Sequence, residues 1–314
     1  MEEEARRTIE EAKKEKNNAQ KVRLKLNLIT PDNFDRMVGD LREMLIGDRK
    51  LLNEEGFDAE LAKDFKINDE ILKIVVETIF RKAQREHIYS KFYSTLCSTI
   101  VKIDLESQGL AARQANLKNC NFRKKLLDYC RSVYEEIFNV NAEDFEALKK
   151  KAEDEGKSYS LEDHRYVQEK RQHKLFGNIE FIGELYLSHL LRPDTAKSIF
   201  DNLLDPGCFQ DDTVEAAIRF IEKIGQTIEE RIANDGSKRK ITQEQYDEIL
   251  QKFKSIWQDS ESDGEDVRKV SKRIQKLIQN MIENQTLGWK KKQKSADVKT
   301  KNEVEQAMLK EQQA

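Results

Sequence analysis

The sequence predicts an all-α fold, a crescent of stacked helical hairpins, and three observations predict it. Helix breakers are scarce, with 3 prolines and 12 glycines in 314 residues. The abundant Glu, Lys, Gln and Leu have straight side chains that lose little rotamer freedom in a helix. Apolar residues recur at three- and four-residue spacing along most of the chain, and no segment sustains the alternation of strands joined by hairpin turns. Charged residues make up 37% of the chain, against ~25% in an ordinary globular protein. A chain of this length buries a sizeable core, so the excess charge belongs on exposed helix faces and in the tails.

Residues 1–20 carry six acids and five bases and read as a charged helix or arm outside the core. From Leu24 an apolar run begins, Thr30 stands at a capping position and Pro31 at the first helical one. Phe34, Met37, Val38, Leu41 and Leu45 then follow on one helical face. Residues 49–66 read as a loop. Asn68 caps the next helix, whose first turn is acidic and whose stripe is Ile71, Leu72, Val75 and Ile79. Tyr89 to Ile103 repeats the theme with Phe92, Leu96 and Ile100. Phe122 to Phe138 and Gly177 to Leu191 form a further pair. Between them residues 143–174 hold nine acids and eight bases, a charged insertion expected to be partly helical and mobile. Periodic segments continue at Thr195–Leu204, Thr213–Ile228, Thr242–Trp257 and Val267–Ile282. The acidic stretch 259–266, DSESDGED, is either a plain solvated loop or a phosphorylation site. The spacing gives roughly nine or ten helices pairing into hairpins of ~40–50 residues, the period of a HEAT-type solenoid of about five hairpins; the rival is an irregular bundle.

No catalytic constellation is legible. His87, His164, His173 and His189 are scattered, the glycines are isolated, and HExxH, GxSxG and CxxC spacings are absent. Cys97, Cys120, Cys130 and Cys208 are dispersed, which suits buried packing in a reducing compartment better than disulfides or zinc. The charged start is no secretory signal, and no apolar run approaches the ~18 residues of a membrane span. The chain is therefore expected to be cytosolic or nuclear, non-enzymatic, and free of metal, cofactor and small-molecule substrate. Its net charge of -3 excludes a strong global field for nucleic acid. One basic cluster remains: Lys290, Lys291, Lys292, Lys294, Lys299 and Lys301, with Asp297 as the lone acid among them. It is either an RNA contact or a soluble tail. Trp289 beside it is expected to pack on the last helical pair.

Residues 170–191 read KRQHKLFGNIEFIGELYLSHLL. Gly177 and Gly183 lie within one helix, where each glycine costs about 1 kcal/mol; either a close helix approach or a bend accounts for them. This stretch resembles the signature of the middle domain of the translation initiation factor 4-gamma family, a five-repeat HEAT domain. The matching residues are Gly177, Asn178, Ile179, Phe181, Ile182, Gly183, Glu184 and Leu185, whereas Glu180 stands where the family usually has a base. Three more stretches resemble the family in the same order: LNLITPDNF at Leu26–Phe34, NFRKKLLDYCRSVYEE at Asn121–Glu136, and RIQKLIQNMIENQTLGWKKK, which contains Trp289, at Arg273–Lys292. The resemblance covers residues 21–292, leaving 1–20 as an arm and 293–314 as a basic, polar, partly helical tail.

The resemblance implies a scaffold that binds the DEAD-box RNA helicase initiation factor 4A and holds its two lobes part-closed. By match, Leu26, Ile29 and Phe34 would be the apolar helicase contacts, although as plain residues before a capped helix they read first as a hydrophobic staple. It further implies partnership with initiation factor 3 and the small ribosomal subunit and a cytoplasmic location, while RNA contact through Lys290, Lys291, Lys292 and Lys294 is expected from their local charge. Two alternatives stay open: a middle-domain adaptor of splicing, nuclear cap binding or mRNA decay, and a repressor that competes for the helicase. The family's cap-binding-protein hook is absent, as expected either of a fragment or of a short form.

Overall fold

The computed structural model describes residues 20–46, 52–53, 56–57, 67, 69–107, 120–139, 145–207, 209–234, 241–261 and 269–289. The described chain is helical almost throughout. An opening helix, α1, spans residues 20–28. A 3-10 turn, Pro31–Asn33, leads into α2, Phe34–Ile46. The Asn33 carboxamide locks this junction, accepting from Thr30 N at 2.8 Å and donating to Leu28 O at 2.9 Å. Within the segment read as a loop, Leu52–Asn53 pairs antiparallel with Gly56–Phe57. Two residues per strand are too few for side-chain alternation to register.

The next pair is α3, Asp69–Arg85, and α4, Ser90–Ser107. Asp69 and Glu70 fill the first turn of α3, and Lys82 and Arg85 its last, matching the helix dipole at both ends. Asn68, the expected cap, lies outside the described residues. Helix α5, Asn121–Asn139, starts against a carboxylate from its neighbour: Asp104, 1% exposed, accepts from Phe122 N at 2.9 Å and from Cys120 Sγ at 3.0 Å. A helix N-terminus carries unpaired N–H groups and positive potential, so an acid there serves both.

The charged insertion contributes α6, Phe145–Asp154, and the first half of α7, Leu161–Leu187. Ser160 and Asp163 form a capping box, with Asp163 N donating to Ser160 Oγ at 3.1 Å and Ser160 N to Asp163 Oδ2 at 2.9 Å. The signature helix therefore begins well before the glycines that mark it. Its buried side chains start at Leu175, and everything from Leu161 to Lys174 stays in solvent or at its edge. The chain then turns at His189, in the left-handed region at φ 59°, and tucks Leu190 and Leu191 inward. Three further helices and the last complete the stack: α8, Pro193–Leu203; α9, Asp211–Ala233; α10, Gln243–Glu261; and α11, Lys272–Thr286.

The packing is that of a helical solenoid. Helix α7 lies against α3, α4 and α5 on one side and α9 on the other; α9 meets α8 and α11, and α10 closes on α8 and α11. One continuous core runs through these contacts. Phe80 sits edge-on to both Phe181 at 5.3 Å and Tyr129 at 5.2 Å, and Phe200 meets Phe220 at 4.8 Å. Of the expected stripes, Met37, Leu41 and Leu45 on α2, Leu72, Val75 and Ile79 on α3, and Leu96 and Ile100 on α4 are buried, whereas Phe34, Val38, Ile71 and Phe92 are half-buried against the same core.

Gly177 of α7 owes its place to close helix approach. A Cβ on Gly177 would lie 2.5 Å from the backbone oxygen of Gln84 on α3, and backbone cannot retreat as a side-chain tip can. Gly177→Ala is expected to cost about 1–3 kcal/mol through overpacking. Gly39→Ala on α2, where a Cβ meets nothing within 4 Å, is expected to gain about 0.5–1 kcal/mol. Urea unfolding followed by circular dichroism checks the pair; equal effects would remove the close approach as the reason.

Candidate functional site

Helix α1 divides its apolar residues between two faces. Val22, Leu26 and Ile29 are 0%, 1% and 5% exposed, whereas Leu24 and Leu28 are 62% and 61% exposed. At about 100° per residue, the first three share one stripe and the other two lie opposite it. Leu26 and Ile29 thus belong to the core. Phe34, half-buried, rests edge-on against Phe92 at 5.4 Å. The exposed large apolar residues of this segment are Leu24 and Leu28. Their signal was present in the spacing 22, 26, 29, which marks the inward face and leaves 24 and 28 outside.

Between α1 and α3 runs a polar groove of about 230 Å³, lined by Arg23 and Asn27 from the first helix, by Glu77, Thr78, Arg81, Lys82 and Arg85 from the second, and by Glu86 just past its end. Lys82 Nζ donates to Asn27 O at 3.5 Å and to Glu86 at 3.4 Å, tying the two helices across its floor. Glu86 also accepts from the Tyr93 hydroxyl. Burial, with the bond to Glu86 in support, pushes the Tyr93 phenol well above its ordinary range. Lys25 pairs with Asp40, fastening α1 to α2. Directly beyond Glu86, a 3-10 turn holds Ile88 83% and Tyr89 49% exposed.

The signature residues of α7 face inward. Gly177, Asn178, Ile179, Phe181, Ile182, Gly183, Glu184 and Leu185 are all buried. Ser94 of α4 donates to Glu184 O at 3.0 Å, and Arg123 of α5 donates to Leu190 O at 2.8 Å just past the helix end. Glu180, at the position of a family base, pairs with Lys223 of α9, which also reaches Glu184 at 2.8 Å. Burial works to lower the Lys223 pKa, but the bonds to Glu180 and Glu184 outweigh it and raise the value. The acid at 180 is therefore answered inside the fold. A Cβ on Gly183 would meet only the Lys223 side chain, at 2.8 Å.

At the other end, Trp289 is 8% exposed and lies on Gly225, where a Cβ would come within 2.5 Å of the indole. Gly288 and Trp289 both take left-handed φ, 68° and 59°, and Trp289 N donates to Asn284 O at 2.7 Å. Trp289 thus packs inward against α9. Lys290, Lys291, Lys292 and Lys294 lie outside the described residues, as do Lys299, Lys301 and Cys208. Ser260, in the acidic stretch, donates to Ile256 O at 2.7 Å and accepts from Val270 N at 3.1 Å, clasping the two ends of that loop.

No metal-binding cluster of three or more His, Cys, Asp or Glu occurs among the described residues, and none of the described helices is long and apolar enough to cross a membrane. Cys97, Cys120 and Cys130 are free and buried. Burial first, then the bond to Asp104, pushes the Cys120 thiol up to about 12, and burial raises Cys97 and Cys130 as well, so these thiols are protonated packing groups.

One buried carboxylate ties α9 to α11. Glu215, its side chain 7% exposed, meets Arg219 at 2.8 Å and Arg273 at 2.5 Å. Burial would raise its pKa, but the bonds from Arg273 and Arg219 prevail and hold it below the ordinary carboxylate value. A depressed folded value means that the stabilisation is present above the unfolded pKa of about 4.3 and is lost as pH falls through the folded one. Stability should therefore drop on acidification below roughly pH 5. Glu215→Gln should be about 1–3 kcal/mol less stable at neutral pH and lose less on acidification. Urea titrations at stepped pH check this, and an unchanged acid slope would reject the role of Glu215.

A family model described as the MIF4G domain matches residues 19–287. Eukaryotic translation initiation factor 4 gamma 3 of Mus musculus is 24% identical over 300 residues, covering 93% of this chain and 16% of that protein. Eukaryotic translation initiation factor 4 gamma 1 of Mus musculus is 25% identical over 243 residues, 74% of this chain and 13% of that protein. The chain thus spans under a fifth of either relative's length. The crystal structure of the MIF4G domain of Trypanosoma cruzi translation initiation factor EIF4G5 aligns over 87% of this chain and 97% of that one, with a TM-score of 0.45 and 15% identity.

Proposed function

Because this chain belongs to the MIF4G domain family, whose model spans residues 19–287, we propose that it is a translation-initiation scaffold that binds and activates the DEAD-box RNA helicase initiation factor 4A and contacts RNA. The similarity to the initiation factor 4 gamma proteins over 300 residues carries this reading. The geometry of α1 supports it: two leucines stand in water on a helix whose other apolar face is in the core. A scaffold needs bare apolar surface of this kind and no reacting groups.

In this proposal the helicase's C-terminal lobe docks on α1 and the helices beside it. Leu24 and Leu28 make the contact, while Leu26, Ile29 and Phe34 hold the docking helix on the core. The α9–α11 end touches the other lobe. A rigid stack that binds both lobes favours the part-closed arrangement by its differential affinity for it, a population shift with no chemistry supplied. Lys290, Lys291, Lys292 and Lys294 add phosphate contacts. Initiation factor 3 and the small ribosomal subunit are further partners, and the site of action is the cytoplasm.

Leu24→Ser combined with Leu28→Ser should weaken helicase binding at least about tenfold and abolish stimulation of its ATPase, with the melting curve unchanged. Leu26→Ala should instead cost about 2–5 kcal/mol of folding stability. Calorimetric titration of the helicase separates them; undiminished binding by the double serine variant rejects α1 as the contact. Changing Lys290, Lys291, Lys292 and Lys294 to Ser should weaken binding to single-stranded RNA and flatten its salt dependence. An unaltered affinity in filter binding rejects the tail as the RNA contact.

A further inference from the structure

The groove between α1 and α3 carries an excess of positive charge. Its lining carries Arg23, Arg81, Lys82 and Arg85 against Glu77 and Glu86. Lys82 and Glu86 answer each other. That leaves three guanidinium groups facing a single carboxylate, and among the described residues none of the three makes a hydrogen bond or ion pair. Asn27 and Thr78 add an amide and a hydroxyl to the same lining.

Unpaired guanidinium forks match an oxyanion, either a carboxylate or a phosphate, and bind it with two parallel hydrogen bonds. A volume of about 230 Å³ suits one such group with a short stem. The surroundings decide between the two sources. Leu24 and Leu28 adjoin Arg23 and Asn27 on the same helix, and Ile88 and Tyr89 follow Glu86 in the chain; all four are exposed. Exposed leucine and isoleucine bordering a cationic groove complement a peptide segment that mixes acidic and apolar residues. A nucleic-acid backbone gains nothing from the aliphatic part.

We infer that this groove recognises an acidic side chain of the partner protein, carried on a segment whose apolar neighbours cover Leu24 and Leu28. The inference rests on the proposed docking of the helicase at α1 and adds the polar half of that contact. The leucines supply buried apolar area. The arginines select a partner with an acid at the right place and speed its approach.

The test uses the full chain with Arg23→Glu and Arg81→Glu together. Both side chains are exposed, so circular dichroism and the melting midpoint should match the unaltered chain. Titration against initiation factor 4A at low and at physiological salt should show affinity reduced at least about tenfold, with most of the salt dependence gone. Equal affinity and equal salt dependence would overturn the inference. So would retained helicase affinity with weakened binding to single-stranded oligouridylate, which would make the groove a phosphate site. If Leu24→Ser with Leu28→Ser loses the helicase while the arginine variant keeps it, only the groove assignment fails. If the unaltered chain does not bind the helicase, the proposed function fails and takes this inference with it.

Discussion

At Gly177 the backbone of α7 lies so close to the Gln84 carbonyl of α3 that the single carbon of an alanine would collide with it. The rest of the stack depends on that approach. Helix α7 touches α3, α4 and α5 on one side and α9 on the other, so the first and second halves of the solenoid join through it. Moving α7 outward by the width of a methyl group would open the Phe80–Phe181 contact and the ring of aliphatic side chains around it. Close packing rewards such an arrangement because dispersion falls off steeply with separation. Gly225 performs the same service at the far end, where the Trp289 indole lies directly on it.

Three polar groups inside the stack tie one helix to another. Asp104 starts α5 from α4, Glu215 joins α9 to α11, and Lys223 gathers Glu180 and Glu184. A buried carboxylate or ammonium tolerates loss of water only when partners replace it, and here the partners set the relative positions of helices.

Much of this was legible in the chain itself. Spacing marks the inward faces of α2, α3 and α4: Met37, Leu41, Leu45, Leu72, Val75, Ile79, Leu96 and Ile100 are buried, while further core residues such as Val76, Phe80 and Tyr93 join them. The signature at residues 177–185 pointed to the family that the match over residues 19–287 shows. The start of α7 was missed although its capping box, Ser160 with Asp163, is a readable signal; the density of charge around it masked the helix. At the opening helix, Leu24, Leu26 and Leu28 look alike along the sequence, and helical rotation alone separates them, sending Leu26 inward and the other two to solvent.

The sequence by itself determined that the chain is helical, where most helices lie, which face of each is apolar, and which family it belongs to. These properties have short range: a helix repeats every ~3.6 residues, so its burial pattern is written within a few turns. The tertiary structure decided the reason for Gly177, the partner of Glu180, and the existence of a cationic groove. Each of these brings together residues far apart in the chain, such as Glu180 and Lys223, 43 positions apart, or Arg23 and Arg81 on opposite walls of one groove. No local periodicity encodes a meeting at that separation. It exists only once packing has fixed the distance between helices.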